Sequence, residues 1–312
     1  MTETTEGNWS RYWTGRTAAA TGEALAGARI EHDRALARFW QSVFAEAPGE
    51  ARVIDLACGA GSALKAAQAA GLASLTGVDV SADAISALEA AIPGSRGVVA
   101  SACETGLDEG SFDFVVSQFG FEYAGAMAAA REAIRLAAPG AQFIAIAHKE
   151  ASPISDECRA NLARTDAIME TGFVAAAREL FAAVYSGRAD SFERAASRFR
   201  APQDRLAALC RDDAAHRNGL AGHLYAGTQR LYERRAAYRL DDITGWLDGM
   251  EAEIMAYAGR MNSMLEAALN EETAGQVLRE FERAGWSAGA AKEFCLDDNN
   301  RPVAWQLSAT AP

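Results

Sequence analysis

The stretch VIDLACGAGSALKAA, residues 53–67, restricts the fold more than any other part of the chain. An apolar run reaches Asp55, bends through Gly59-Ala60-Gly61 and continues with helical spacing. A continuous apolar strand of this kind is buried on both faces, which happens inside a parallel sheet covered by helices on each side. The residues that follow repeat the alternation. Strands are expected at 51–57, 74–80, 97–101, 112–117 and 142–148, and a helix at 63–70. Ser81 is placed to cap a further helix carrying Ile85 and Leu88, with Asp83 in its first turn and Pro93-Gly94 as its stop. A third helix, with Met127, Ile134 and Leu136, is expected to end at Pro139-Gly140.

The flanking segments differ in character. Residues 1–47 open with Trp9, Arg11, Tyr12, Trp13 and Arg16, then carry Ile30, Leu36, Phe39, Trp40, Val43 and Phe44 at three- and four-residue spacings, up to Pro48-Gly49. That spacing predicts a helix. From about 154 to 270 the chain is rich in alanine and arginine and shows helical periodicity without a convincing strand. A helix over 271–284 follows, then two strand candidates, 290–296 and 303–308, facing each other across Asp297-Asp298-Asn299-Asn300, a turn cluster. The simplest assembly is a doubly wound α/β domain over 48–150 and 271–312. It is interrupted by a helical insert, 151–270, far longer than an ordinary loop, and preceded by an N-terminal segment, 1–47.

Composition removes several function classes. With 42 acids against 30 bases the 312-residue chain carries a formal charge of -12, which repels phosphate backbones and anionic lipid surfaces. Neither a nucleic-acid nor a membrane partner is therefore expected. The N-terminus, MTETTEGNWS, lacks the basic and apolar regions of a secretory signal. Five cysteines, Cys58, Cys103, Cys158, Cys210 and Cys295, are scattered and odd in number, which reads as free thiols in a reducing cytoplasm. His216 and His223 stand two helical turns apart with no third ligand, so no metal is assigned.

Chemistry concentrates at the carboxyl ends of the expected strands, where ligands of open α/β sheets sit. Gly59 and Gly61 let the backbone approach a ligand, and the helix that follows offers unpaired N–H groups to an anion. Eighteen residues after Gly61 the next strand ends in Asp79, an acid suited to ribose hydroxyls. A dinucleotide fingerprint places glycine or alanine where this chain has Leu64. A sulfonium nucleoside bearing an amino acid uses Asp55 as well, through its ammonium group.

VIDLACGAGSA, LTGVDVS, GVVASACETGLDEGSFDFVVSQFGFEY and AIRLAAPGAQFIAI, in that order, together resemble the motif series of class I S-adenosylmethionine-dependent methyltransferases. The resemblance covers about 100 residues and implies a Rossmann-like, mostly parallel seven-stranded sheet closed by a C-terminal antiparallel hairpin. It implies S-adenosyl-L-methionine as cofactor and S-adenosyl-L-homocysteine as product. By position, Ala57, Gly59 and Gly61 would line the methionine part, Asp79 would take the ribose diol and Val80 would pack on the adenine. Ala102 and Cys103 would flank the adenine edge, and Gln118 and Phe119 would stand beside the sulfonium. Two departures stand out. Ala57 replaces a glycine, tolerable where its φ is negative, and Ala102 replaces an acid that contacts the adenine amino group.

The acceptor is expected to be a small molecule, methylated on oxygen, nitrogen or sulfur by in-line displacement. His148, at the end of QFIAIAH, is chemically suited to remove a proton near neutral pH. Glu122 and Tyr123 follow the neighbouring strand, and Glu122 is also suited to an acceptor ammonium. Phe119, Phe121 and Tyr123 are candidates for an apolar wall, with at least one expected in the core. Tyr12, Trp13 and Arg16 form a candidate lid. Arg230 and Arg234 are candidates for an acceptor carboxylate or phosphate, although most arginines of the insert are expected on a solvated face. Homodimerisation through the insert is compatible with this reading. Three rivals remain: transfer of a different group from the same sulfonium, a non-catalytic nucleoside-binding or interaction protein, and a nicotinamide enzyme.

Overall fold

The computed structural model describes residues 30–295 and 301–312, so the lid candidates Tyr12, Trp13 and Arg16 and the turn at 297–300 lie outside the described residues. The chain divides into two compact units, one of 1–158 and 262–312, the other of 159–261.

In the first unit a helix, α1 (Ile30–Phe44), precedes an alternating series: β1 (Arg52–Leu56), α2 (Ser62–Ala69), β2 (Ser74–Asp79), α3 (Ala82–Ala91) and β3 (Arg96–Val99). It continues as β4 (Phe112–Gln118), a single 3₁₀ turn at Phe121–Ala124, α4 (Ala126–Leu136) and β5 (Ala137–His148). The helical segment then runs as α5 (Pro153–Glu170), α6 (Phe173–Tyr185), α7 (Ala189–Asp212), α8 (Ala214–Asn218), α9 (Leu220–Glu233) and α10 (Leu240–Ala267). The chain returns through α11 (Glu271–Arg283), β6 (Ser287–Ala288), β7 (Lys292–Cys295) and β8 (Pro302–Thr310).

Strand order is β3-β2-β1-β4-β5-β8-β6, with β7 also paired to β8. The first five strands are parallel, and β8 runs antiparallel between β5 and the short pieces β6 and β7. Successive residues of the central strands feed opposite cores, as pleating requires. Val53, Phe114, Val116, Ile144 and Ile146 pack with Trp40, Phe44, Leu64 and Leu88 on one side. Ile54, Val115, Phe143 and Ala145 pack with Ala130, Ala133, Val277 and Phe281 on the other. Local signals agree with this packing. The Ser81 hydroxyl accepts the Ala84 N–H at the start of α3, and Asn270 caps α11 through the Thr273 N–H. Along α11, Ala274, Val277, Leu278 and Phe281 form the buried stripe.

The sheet departs from the sequence reading in two places. Pro139-Gly140, expected as the stop of α4, lies inside β5, which begins five residues earlier than 142. Pairing shifts by an irregularity between Phe112 and Phe114, and that is where a proline, which donates no ladder bond, is tolerated. The C-terminus holds this end, because Gly140 N–H donates to the Pro312 carbonyl and Ala311 N–H to that of Ala141. The expected strand 290–296 is present as Lys292–Cys295, and a short piece not foreseen, Ser287–Ala288, precedes it in the same lane, both laid against β8. Eight strands therefore occupy seven lanes.

The second unit has its own core, in which Phe173, Phe181, Phe199, Leu206, Leu224, Ile243 and Leu247 are buried. Its arginines work between helices more than along them. Arg178 on α6 donates to Asp248 and Glu251 on α10, and Arg205 on α7 donates to the Thr171 carbonyl.

In the first unit Glu132 accepts from the Thr105 N–H and hydroxyl and from both ends of the Arg135 guanidinium. Burial opposes its ionisation, but these bonds outweigh that effect and bring its carboxyl down to about 2. Across pH 4.5 to 2 the unfolded chain then binds the extra proton, so stability falls as pH drops through that window. The slope from this group is at most about 1.4 kcal/mol per pH unit. Denaturant midpoints measured between pH 5 and 2 are expected to flatten in Glu132→Gln, which has no carboxyl to protonate.

Candidate active site

The sheet order reverses between β1 and β4, and the crevice of an open α/β sheet lies beyond the carboxyl ends of the strands at such a point. Here β1 ends at Leu56, β4 at Gln118 and β5 at His148. The turn after β1 runs in the left-handed region at Ala57 (φ 56°), Gly59 (φ 52°) and Gly61 (φ 78°), and Gly61 opens α2 without a side-chain cap. Phe119, the residue after β4, is also left-handed at φ 53°. The condition under which alanine is easily tolerated at 57, a negative φ, is therefore not met. A side chain there costs roughly 1–2 kcal/mol relative to the right-handed region. Non-glycine strain of this kind persists where surrounding structure over-determines it and clusters at ligand sites.

Several bonds hold these turns. The Ser117 hydroxyl donates to the Leu56 carbonyl and accepts the Phe121 N–H, tying β4 to the end of β1. Asp79 receives the Gly59 N–H on one carboxylate oxygen and the Ser81 N–H on the other, each at 2.9 Å. Burial pushes its carboxyl above the ordinary value, partly offset by those N–H groups. Each oxygen keeps a further lone pair, so the same carboxylate can still accept ribose hydroxyls. Val80 and Val99 stand at the ends of β2 and β3 with 39% and 56% of their surface exposed. Apolar surface of that extent beside Asp79 suits the flat face of a purine. Asp55 is buried within β1.

The remaining cofactor candidates divide. Ala102 is a core residue, packed with Leu56 and Val78, so only its backbone can take part at the site. Cys103 is half-buried with Sγ 3.1 Å from the Ser101 hydroxyl. Gln118 is buried, and its side-chain oxygen accepts the indole N–H of Trp40 on α1.

Three expected catalytic residues converge. His148 and Glu122 are both 4% exposed, and Glu122 Oε1 lies 2.7 Å from His148 Nδ1 and 3.0 Å from its backbone N–H. With Glu122 ionised, the carboxylate only accepts, so Nδ1 carries the hydrogen and Nε2 is left as the acceptor. The second oxygen of Glu122 is buried with no hydrogen-bond partner among the described residues. The Phe119 and Tyr123 rings flank the imidazole at 4.6 and 5.7 Å. Burial, then the charge of Glu122, raises the Tyr123 phenol well above its usual value. Phe121 is a core residue against Phe143. Arg230 and Arg234 are exposed on and just after α9 in the other unit.

Sequence reasoning overlooked Ser117, Trp40 and Gly120. A Cβ at Gly120 would meet the Ala57 carbonyl oxygen at 2.6 Å, so the FGF order after β4 carried a readable signal. Nothing local marks Trp40 as the partner of a residue 78 positions away. Among the described residues no group of three or more His, Cys, Asp or Glu is placed to hold a metal ion.

Residues 54–145 match the family described as a methyltransferase domain. No curated protein matches the chain. Among solved structures, an S-adenosylmethionine-dependent methyltransferase from Mesorhizobium loti is 25% identical over 41% of this chain and 56% of that one, with a TM-score of 0.34. The Haloferax volcanii complex of the Trm112 methyltransferase activator with a methyltransferase gives 26%, 39%, 62% and 0.32. Geranyl diphosphate C-methyltransferase from Streptomyces coelicolor A3(2) gives 16%, 48%, 67% and 0.38. The first solved chains are thus matched over less than two thirds of their own length.

Because Ala57 is strained and Gly120 abuts it, the two positions should respond oppositely to one methyl group. Ala57→Gly is expected to raise unfolding stability by about 0.5–1 kcal/mol, and Gly120→Ala to lower it by about 1–3 kcal/mol, both read from urea denaturation. The left-handed turn after β1 and the acid at the end of β2 both fall within the stretch, residues 54–145, that matches the methyltransferase-domain family.

Proposed function

We propose that the protein transfers the methyl group of S-adenosylmethionine to a small-molecule acceptor on oxygen, nitrogen or sulfur. The carrying observation is the buried His148–Glu122 pair beside the crevice, with one Glu122 oxygen left unsatisfied among the described residues. Leaving a buried acceptor unpaired costs about 1–3 kcal/mol, a cost a ligand donor would remove. The cofactor, when bound, supplies an electrophilic methyl on a sulfonium.

The residues present fit that group. Asp79 has lone pairs for a ribose diol, the exposed Val80 and Val99 offer an adenine face, and the start of α2, which has no side-chain cap, offers backbone N–H groups to a carboxylate. His148 Nε2 would take the proton from the acceptor atom. Glu122 would act through the imidazole, fixing its tautomer and ring orientation, and Tyr123 and Phe119 would limit water around it. The strong negative charge of the chain favours a small acceptor over a polyanion. No helix among the described residues is long and apolar enough to cross a membrane, and the proposed setting is the cytoplasm.

Incubation with S-adenosylmethionine and a pooled metabolite extract is expected to yield a protein-dependent product heavier by one methylene. His148→Gln should lower kcat on that acceptor by ~10²–10⁴, while calorimetric affinity for S-adenosylhomocysteine stays unchanged. Glu122→Gln should reduce kcat with KM and that affinity held, because its action runs through the imidazole. Asp79→Asn should weaken S-adenosylhomocysteine roughly tenfold. Wild-type protein that ignores S-adenosylhomocysteine in the titration would refute the reading at its first step.

A further inference from the structure

Inside the helical unit, α6, α7 and α9 enclose an open-mouthed cleft of about 390 Å³ that methyl transfer does not explain. That volume lies within the range of small-molecule sites, roughly 300–1,000 Å³. Its lining residues all fall between 173 and 233, so the cleft belongs to this unit alone.

The walls are aromatic. Phe173 and Phe181 are buried, Phe199 lies 5.1 Å and Tyr225 6.4 Å from the Phe173 ring, and Tyr232 lies 6.2 Å from that of Phe181. Phe192 stands among the lining residues with 37% of its surface exposed. Rings so arranged present faces and edges to an occupant, the geometry that favours stacking against another π system.

Gln203 and Gln229 bring polar groups to the lining, and one further polar atom is buried in it without a partner among the described residues. Thr228 is 3% exposed, and its hydroxyl oxygen is buried with no hydrogen-bond partner among the described residues. A threonine on a helix commonly satisfies its hydroxyl on the carbonyl one turn back. Thr228 does not, and it lines the cleft. Buried hydroxyls without partners are rare enough that each calls for an explanation. Arg200 and Glu233 also line the cleft, both exposed and opposite in sign, so these side chains select neither a cation nor an anion.

We infer that this cleft binds a neutral aromatic or conjugated small molecule bearing a hydroxyl or carbonyl oxygen, which pairs with Thr228. The inference stands apart from methyl transfer, since it concerns residues of the helical unit only.

The test uses the full-length protein and two probes of nearly equal size, naphthalene and 2-naphthol, titrated by calorimetry. Wild type should bind 2-naphthol about fivefold more tightly than naphthalene, the worth of one neutral hydrogen bond. Thr228→Val, which keeps the side-chain shape, should retain naphthalene affinity and abolish the preference. Ala196→Trp, which fills the cleft, should lose both probes while keeping the wild-type circular dichroism spectrum. Should that variant misfold, Thr228→Val decides alone. Affinities weaker than about 1 mM for both probes, a preference that persists in Thr228→Val, or probe binding by folded Ala196→Trp would each overturn the inference.

Discussion

Reversal of strand order between β1 and β4 leaves the carboxyl edge of the sheet without a crossover helix to fill it, and the backbone itself must line the gap. Everything near the crevice follows from holding that edge together. Ser117 bridges the end of β1 to the turn after β4, and Asp79 reaches from β2 to clamp the Gly59 amide. A carboxylate engaged by two backbone donors is locked in place before any ligand arrives. Its remaining lone pairs are therefore presented at a fixed position, so little ordering entropy is left to oppose binding.

The same constraint explains the left-handed residues. Ala57 and Phe119 follow neighbouring strands of the sheet centre and bend away at φ 56° and 53°, while Gly120 lies so close to Ala57 that no Cβ fits. A glycine at 57 would relax the first turn. Alanine there keeps the turn narrower in its accessible conformations, a trade of stability for definition of the pocket floor.

Much of this was readable along the chain because parallel strands announce themselves locally. An apolar run, a glycine turn and a capped helix occupy contiguous residues, so β1 to β5 and the helices between them follow from spacing alone. Residues at strand ends inherit that legibility. Glu122 and His148 are 26 positions apart, yet both follow from where β4 and β5 stop. What resisted reading depends on partners distant in sequence. Pro139-Gly140 looks like a helix stop until Pro312 and Ala311 arrive to hold it in the sheet. The two-residue piece Ser287–Ala288 is too short to show a periodicity of its own and is defined only by its pairing with β8. Backbone sign at Ala57 is likewise set by Gly120 and the ties around it, and nothing in the side chain discloses it.

The helical unit follows a different logic, with arginines cross-linking helices far apart in sequence, as Arg178 does to Asp248 and Glu251. Such partly exposed pairs add little stability, commonly under ~1 kcal/mol each, so the unit rests on its aromatic core. A core built from rings leaves gaps that aliphatic side chains would close, because flat groups interlock less completely than branched ones. Where such a gap also buries an unsatisfied hydroxyl, both costs fall on the same helix faces, and closing the gap with a larger apolar residue would remove them together. Glu122 in the other unit also buries an unpaired oxygen, but its other oxygen holds the His148 backbone N–H and Nδ1, so a nonpolar side chain there would leave those donors unpaired. Against a total stability of roughly 5–15 kcal/mol, two such defects are substantial, and each sits at a cavity or crevice where a ligand can complete what the fold leaves open.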